Sequence, residues 1–258
     1  MAKVHPTAIV EAGAELDADV EVGPYCVIGP KVKIGKGTRI KSHAVVEGNT
    51  ILGEGNRIFQ FATVGSVPQD LKYRGEDSQL VIGHHNTVRE FASLNPGTTG
   101  GGMITRVGDD NLFMMYCHIA HDCIIGSHNI IANGATLGGH VVVEDYVIVG
   151  GLVGIHQFVR VGTGAILGAG SMVSKDVAPY CNATGDRARL RGLNLEGLRR
   201  RGLTKEQIEN LKKAYRVIFQ SGLRTEKALA KAKHEIPTSP EVQRLVGFIE
   251  QSQRGICR

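Results

Sequence analysis

The chain has 258 residues with 34 glycines, no tryptophan and a formal net charge of +5 at pH 7. The length is sufficient for a sizeable core, while the excess of glycine argues against an ordinary globular α/β domain. No apolar run is long enough to span a membrane as a helix, and no signal peptide precedes Val4, where a sequence repeat begins. We therefore expect a cytoplasmic protein of bacterial type.

An aliphatic residue occupies every sixth position along most of the chain. The series runs without a break from Val4 to Val64, resumes from Ile82 to Leu94, and after a shift of one residue continues from Val107 to Val173. A period of six fits neither an α-helix nor an ordinary strand, so it indicates a repeat architecture.

Two further positions of the hexad are also restricted. The residue after the aliphatic is often glycine, and the residue four positions after it is usually small, as at Cys26, Ala44 and Ala135. This pattern describes a short strand followed by a corner, and hexapeptide repeats of this kind are a signature of the parallel β-helix.

The repeats resemble those of the hexapeptide-repeat acyltransferases. This resemblance implies a left-handed parallel β-helix of triangular section, with three hexads, or about 18 residues, per coil. We expect an all-β solenoid over residues 1–185 and a helical region over residues 186–258. Two polar segments, Val67–Glu76 and Asn95–Gly102, interrupt the repeat and are predicted to be loops on the binding face.

The C-terminal region changes to helical spacing. Thr204 with Gln207 predicts a capping box at the start of one helix, Thr225 opens a second, and Ser239 before Pro240 opens a third. Residues 191–258 hold 15 Lys and Arg against 7 Glu. This basic surface is either a solvated helical face or a binding surface for an acidic macromolecule. Nucleic acid is not expected, because no aromatic residues interleave the charges.

Four of the ten histidines are predicted to lie close to one corner of the coil. Counted in steps of about 18 residues, His121, Gly139 and Gln157 form one column on successive coils. The other three histidines near this column are His118, His140 and His156. Two chemistries fit: a zinc site of the carbonic anhydrase kind, formed by His118, His121 and His140, or a general base beside substrate-binding groups. A non-catalytic scaffold is the third hypothesis.

Five short motifs occur together in order and carry a closer resemblance. They are Gln69–Tyr73, Ala120–Cys123, Gly138–His140, Ile155–Phe158 and Asn194–Gly202. With these motifs the whole chain resembles the UDP-N-acetylglucosamine O-acyltransferases of lipid A biosynthesis. The resemblance implies transfer of a 3-hydroxyacyl chain from acyl carrier protein to the sugar 3-OH, without a cofactor or metal. The 3-amino analogue of the sugar nucleotide stays open as an alternative acceptor.

The resemblance also implies roles for individual residues. His121 matches the catalytic base and Gly139 the backbone N–H donor to the oxyanion, while Asp122 is either an orienter of His121 or a solvent-facing residue. The residues that would bind the sugar nucleotide are Asp70, Lys72, His118, His140, His156, Gln157, Asn194, Glu196, Arg200 and Arg201. Ala169 aligns with the determinant of acyl-chain length. The family forms homotrimers with sites between subunits, so the Gln69–Tyr73 loop is expected to serve a neighbour.

One departure from the family pattern lies in the second loop. Members often carry His-Arg-Gly-Thr where this chain has Asn95-Pro96-Gly97-Thr98. This difference removes any contact made by that histidine, and it leaves the assignment of His121 unchanged.

Overall fold

A computed structural model describes all 258 residues and consists of a three-sided parallel β-solenoid, a β-hairpin and a C-terminal group of helices. Sheet A contains β1 (Lys3–Val4), β4 (Glu21–Val22), β7 (Arg39–Ile40), β10 (Arg57–Ile58), β13 (Thr87–Val88), β16 (Leu112–Phe113), β19 (Ile130–Ile131), β22 (Ile148–Val149), β25 (Ile166–Leu167), β27 (Cys181–Thr184) and β28 (Arg189–Leu193). Sheet B contains β2 (Ile9–Val10), β5 (Val27–Ile28), β8 (Val45–Val46), β11 (Thr63–Val64), β14 (Ser93–Leu94), β17 (His118–Ile119), β20 (Thr136–Leu137), β23 (Gly154–Ile155) and β26 (Met172–Val173). Sheet C contains β3 (Glu15–Leu16), β6 (Lys33–Ile34), β9 (Asn49–Leu52), β12 (Gln79–Ile82), β15 (Ile104–Val107), β18 (Ile124–Ile125), β21 (Val142–Val143) and β24 (Arg160–Val161).

The six-residue series predicts the strands of the solenoid correctly. Each of β1 to β26 ends on a residue of the series, and the register pairs Ile119 with Leu137 and Leu137 with Ile155, as the coil of about 18 residues requires. From Val22 onward these residues are buried and form one continuous core. The predicted left-handed parallel β-helix with a C-terminal helical region is therefore confirmed.

A ladder of buried asparagines lines the inside of the corner between sheets C and A. The Nδ2 of Asn86 donates to the Gly108 carbonyl, and its Oδ1 accepts from the backbone N–H and the Nδ2 of Asn111. The Oδ1 of Asn111 in turn accepts from the N–H of Asn129. These side chains satisfy corner backbone groups that strand pairing leaves unpaired.

Both interruptions of the repeat emerge from the same corner, between sheets B and C. The first follows Val64 at the end of β11, and the second follows Leu94 at the end of β14. The second contains a short 3-10 turn, Thr99–Gly101. The hydroxyl of Thr99 donates to Oε1 of Glu76 at 3.1 Å, which joins the two loops.

The chain continues past the solenoid into an antiparallel hairpin of β27 and β28 and then four helices. These are α1 (Leu195–Arg200), α2 (Lys205–Tyr215, extended by a π-helical turn over Arg216–Gln220), α3 (Thr225–Glu235) and α4 (Pro240–Glu250). The capping box of Thr204 and Gln207 and the cap by Ser239 are present as predicted. The helix α1 was not predicted, and the expected boundary at residue 185 falls inside the hairpin. None of the helices is long and apolar enough to cross a membrane.

Candidate active site

The predicted histidine cluster forms at the corner between sheets B and C, one coil beyond the second loop. His118 lies on β17, His121 follows that strand, and His140 lies on the next coil. The rings of His121 and His140 meet edge to face with centroids 5.1 Å apart, and His140 stacks on Phe158 at 4.3 Å. One chain therefore brings together His118, His121 and His140, three of the four predicted histidines.

Asp122 and His121 form a dyad in which the carboxyl group is buried and the imidazole is partly exposed. The Nδ1 of His121 lies 2.8 Å from Oδ2 of Asp122, whose side chain is 0% exposed. Because a carboxylate only accepts hydrogen bonds, Nδ1 of His121 carries the proton and the neutral ring has its lone pair on Nε2. Asp122 is thus directed at the imidazole and not at solvent.

Gly139 lies directly against the imidazole of His121. A Cβ at position 139 would be 2.5 Å from Cε1 and 2.7 Å from Nε2 of that ring. The backbone N–H of Gly139 makes no hydrogen bond to another backbone group. The unprotonated Nε2 of His121 therefore lies beside the free backbone N–H of Gly139. Nε2 is suited to accept a proton, and the N–H is suited to stabilise negative charge that develops on an oxygen.

The surroundings of His118 and His140 lower the pKa of both side chains. Burial lowers the pKa of His118, and repulsion from His121 when that ring is protonated adds to this effect. Its Nδ1 lies 2.7 Å from the hydroxyl of Ser93, which is its partner on β14. Burial likewise lowers the pKa of His140, against a smaller opposing effect of Asp122. A lowered pKa favours the neutral imidazole, which has one donor nitrogen and one acceptor nitrogen.

The remaining predicted residues of this corner are more open. His156 and Gln157 are exposed on the third coil, and Nδ1 of His156 lies 3.1 Å from the carbonyl oxygen of Gln157. On the first loop, Oδ1 of Asp70 accepts from the backbone N–H of Lys72 at 3.0 Å. This bond holds the turn of the first loop, and no hydrogen bond or ion pair joins Asp70 to the histidines of its own chain.

Asn194 and Arg201, two of the residues predicted to bind the sugar nucleotide, lie at a different corner, between sheets C and A. The guanidinium of Arg201 stacks over the ring of Tyr146 at 4.4 Å. The Nδ2 of Asn194 donates to the carbonyl of Gly164 on that same corner, and its Oδ1 caps α1. His140 and Tyr146 stand at opposite ends of β21. One chain therefore does not bring the two predicted groups of residues together.

The basic run beside Asn194 is mostly exposed. Glu196 forms ion pairs with Arg200 at 3.0 Å and with Arg199 at 3.7 Å, and the Arg200 side chain is 78% exposed. In this position the arginines project from the corner and are free to contact a ligand or another subunit.

A stripe of outward-facing aliphatic residues runs along sheet A at the level of the histidine cluster. The stripe consists of Leu112, Ile130, Ile148 and Ile166. The same column carries charged residues such as Arg39 and Arg57 on the earlier coils. Ala169 is exposed at the end of the corner that follows Ile166. The change from charged to apolar residues marks a surface suited to another protein surface or an acyl chain.

The side chains that lie close enough to bind a metal ion together are not the three that the zinc hypothesis predicts. The three groups whose ligand atoms lie within 4.8 Å of one another are His121, Asp122 and His140. His118, which the zinc hypothesis required, is instead turned to the hydroxyl of Ser93. The geometry favours a histidine base over a three-histidine zinc site.

Sequence analysis missed the residues that support the cluster. Ser93 holds His118, Thr98 donates twice to the carboxylate of Asp122, and the hydroxyl of Thr105 accepts from the N–H of Asp122 at 2.8 Å. The repeat spacing could have identified Ser93, because it pairs with His118 across one coil. Thr98 lies in a loop, where the repeat gives no position.

Two family profiles match the chain. The profile described as Udp N-acetylglucosamine O-acyltransferase, Domain 2, matches residues 176–257, and that of the bacterial transferase hexapeptide matches residues 104–139. The acyl-carrier-protein–UDP-N-acetylglucosamine O-acyltransferase of Thermodesulfovibrio yellowstonii is 49% identical over 258 residues, and that of Myxococcus xanthus is 54% identical; 100% of each chain is covered in both cases.

Solved structures also superimpose closely on this chain. The structure of LpxA from Acinetobacter baumannii superimposes with a TM-score of 0.97 at 49% identity and covers 99% of both chains. The UDP-N-acetylglucosamine acyltransferase of Arabidopsis gives a TM-score of 0.87 at 40% identity, over 99% of this chain and 100% of the other. With about half of its residues identical over the full length of such relatives, the chain belongs to the family of acyl-carrier-protein–UDP-N-acetylglucosamine O-acyltransferases.

Proposed function

We propose that the protein transfers a 3-hydroxyacyl chain from acyl carrier protein to the 3-OH of UDP-N-acetylglucosamine, the first step of lipid A biosynthesis. The observation that carries this proposal is the dyad of His121 and Asp122, with Nε2 of the imidazole placed against Gly139. The relatives at 49% and 54% identity are named for this reaction.

The reaction needs one base and one oxyanion donor. Nε2 of His121 accepts the proton of the sugar hydroxyl, and the freed oxygen attacks the thioester carbonyl carbon. The N–H of Gly139 stabilises the negative charge that develops on the carbonyl oxygen. When the tetrahedral intermediate collapses, the C–S bond breaks and the leaving thiolate takes the proton back from the His121 imidazolium. Asp122 stabilises that imidazolium throughout.

Replacement of His121 by alanine tests the proposal. Removal of a general base costs about 100- to 10,000-fold in rate, so we expect His121→Ala to lose acyl transfer while still folding, as shown by a cooperative thermal unfolding transition. His234→Ala is the matched control, because His234 is exposed on α3. A His121→Ala protein with wild-type turnover would contradict the proposal.

We assign the residues that would bind the acceptor and the donor from the chemistry of their side chains. His118, His140 and Asp70 would contact the sugar, and His156 with Gln157 would contact the uracil. The basic residues of 191–258 offer a surface to acyl carrier protein, which is acidic. Incubation with both UDP-N-acetylglucosamine and its 3-amino analogue, followed by mass spectrometry, separates the two acceptors.

A cytosolic location remains part of this proposal, in keeping with five unpaired buried cysteines.

We further propose that three chains form the active sites between them. Asn194 and Arg201 lie at one corner and His121 at another, so a complete site requires the Arg201 corner of one chain to face the His121 corner of the next. The apolar stripe on sheet A adjoins the Arg201 corner and would be covered in such an assembly. A closed ring of identical interfaces satisfies every chain equally.

The acyl chain would lie along that apolar stripe, and Ala169 would limit its length. A small residue at this position favours a long chain. We expect Ala169→Met to shift the products towards shorter chains when a mixture of acyl-carrier-protein thioesters is offered. Unchanged product lengths would remove Ala169 from this role.

A further inference from the structure

Thr98 in the second loop holds the carboxylate of Asp122 from two directions. Its backbone N–H donates to Oδ1 at 2.9 Å, and its hydroxyl donates to Oδ2 at 2.7 Å. Oδ2 is the same oxygen that accepts from Nδ1 of His121. We infer that Thr98 is a positioning residue for acyl transfer, which acts on the base through Asp122. This inference rests on the proposed function.

The carboxylate of Asp122 depends on Thr98 because few other groups reach it. Its side chain is fully buried, and the only ion-pair partner within 4.0 Å is His121. A buried carboxylate must be surrounded by hydrogen-bond donors. Thr98 supplies two of its three hydrogen bonds, and without the hydroxyl the carboxylate could rotate away from the imidazole. The backbone of Asp122 is fixed separately, by its N–H bond to Thr105.

The loop that carries Thr98 is built to fit over this carboxylate. The carbonyl of Thr98 accepts from the N–H groups of Gly101 and Met103 at 3.1 and 3.0 Å, and Thr98 itself is 3% exposed. A side chain at Gly101 would collide with the carboxyl group of Asp122. The tight turn therefore fixes both donors of Thr98, and the loop has a function beyond lining the binding face.

The effect of Thr98 should appear in turnover and not in substrate binding. Thr98 lies behind Asp122, on the side away from Nε2 of His121. The imidazole gains its positive charge only during proton transfer, so a correctly oriented carboxylate stabilises the transition state more than the ground state. A loss of orientation lowers kcat and leaves KM nearly unchanged.

Thr98→Val tests the inference, because valine keeps the shape and the backbone donor but lacks the hydroxyl. One hydrogen bond to a charged group corresponds to about tenfold or more in rate. We expect kcat to fall by about that factor and Thr98→Ser to restore most of it. Thr99→Val is the matched control, since Thr99 is the exposed neighbour and bonds only to Glu76.

A double-mutant cycle with Asp122→Asn separates positioning from a general effect on the loop. If Thr98 acts through Asp122, the valine substitution should cost little in the Asp122→Asn background. An equal loss of kcat in both backgrounds would overturn the inference, as would a rise in KM alone. Thermal unfolding of each variant verifies its fold, and Thr98→Ala serves in the cycle if the valine variant does not fold. If the proposed function itself were wrong, the wild-type protein would show no acyl transfer.

Discussion

Gly139 provides the space in which the imidazole of His121 lies. A methyl group on Gly139 would be 2.5 Å from Cε1 of His121, well inside van der Waals contact. The φ angle of Gly139 lies outside the left-handed region, so alanine could adopt its backbone conformation. The glycine is therefore required by the neighbouring ring and not by the turn.

Gly139→Ala should displace the imidazole of His121 and disable the enzyme without unfolding it. Because catalytic groups must be held within a fraction of an ångström, we expect a loss of about 100-fold in kcat. Gly247→Ala is the control, since a Cβ there meets nothing within 4 Å. Steady-state kinetics and thermal unfolding of both variants measure the effect; full activity of Gly139→Ala would show that the ring moves aside without cost.

The solenoid was predictable because its core repeats. The aliphatic at the end of each strand and the small residue at each corner are set by the same inward packing in every coil, so position in the sequence gives position in space. The same spacing placed His121 next to Gly139. Thr98 and the helix α1 lie outside the repeat, where local sequence does not fix the register.

The separation of the predicted site into two corners was also beyond the sequence pattern. Arg201 lies in the helical region, and only its stacking on Tyr146 shows which corner of the triangle it reaches. The motifs along the chain assigned Arg201 and His121 to the same predicted site. The three-dimensional arrangement assigns them to different corners of one chain.

His118 should make the protein less stable at mildly acidic pH. Its pKa is lowered by burial from the ordinary value of about 6.5. Below that ordinary value, His118 of the unfolded chain binds a proton that His118 of the folded chain does not. The contribution of His118 to stability therefore falls as the pH drops towards the folded pKa, and it is constant above about pH 6.5. We expect His118→Gln to lose less stability than the wild type between pH 7.5 and pH 5.5.

The comparison of urea midpoints at the two pH values isolates this effect. Other titrating groups are common to both proteins and cancel in the difference. His234→Gln provides the baseline, because His234 is exposed. Parallel losses in the wild type and in His118→Gln would show that His118 does not contribute.

The asparagine ladder should contribute strongly to stability. Asn111→Leu keeps the side-chain volume but leaves the buried N–H of Asn129 and the carbonyl of Gly126 without partners. Each unsatisfied buried group costs about 1–3 kcal/mol, so we expect a loss of about 3 kcal/mol. Denaturant unfolding measures it, with Asn133→Leu as control because Asn133 is exposed. A change below about 0.5 kcal/mol would mean that the ladder is dispensable.

A shared site also predicts that two inactive proteins will restore activity when their chains are mixed. His121→Ala keeps the Arg201 corner and Arg201→Ala keeps the His121 corner, so neither alone forms a complete site between chains. In a cyclic trimer with both kinds of chain, one of the three interfaces combines the intact corners. Mixed trimers, isolated with two different affinity tags, should therefore recover roughly one third of wild-type kcat. Each variant measured alone is the control, and trimers of His121→Ala mixed with wild type establish the scale. Sites formed within single chains would give mixed trimers that are as inactive as their parents.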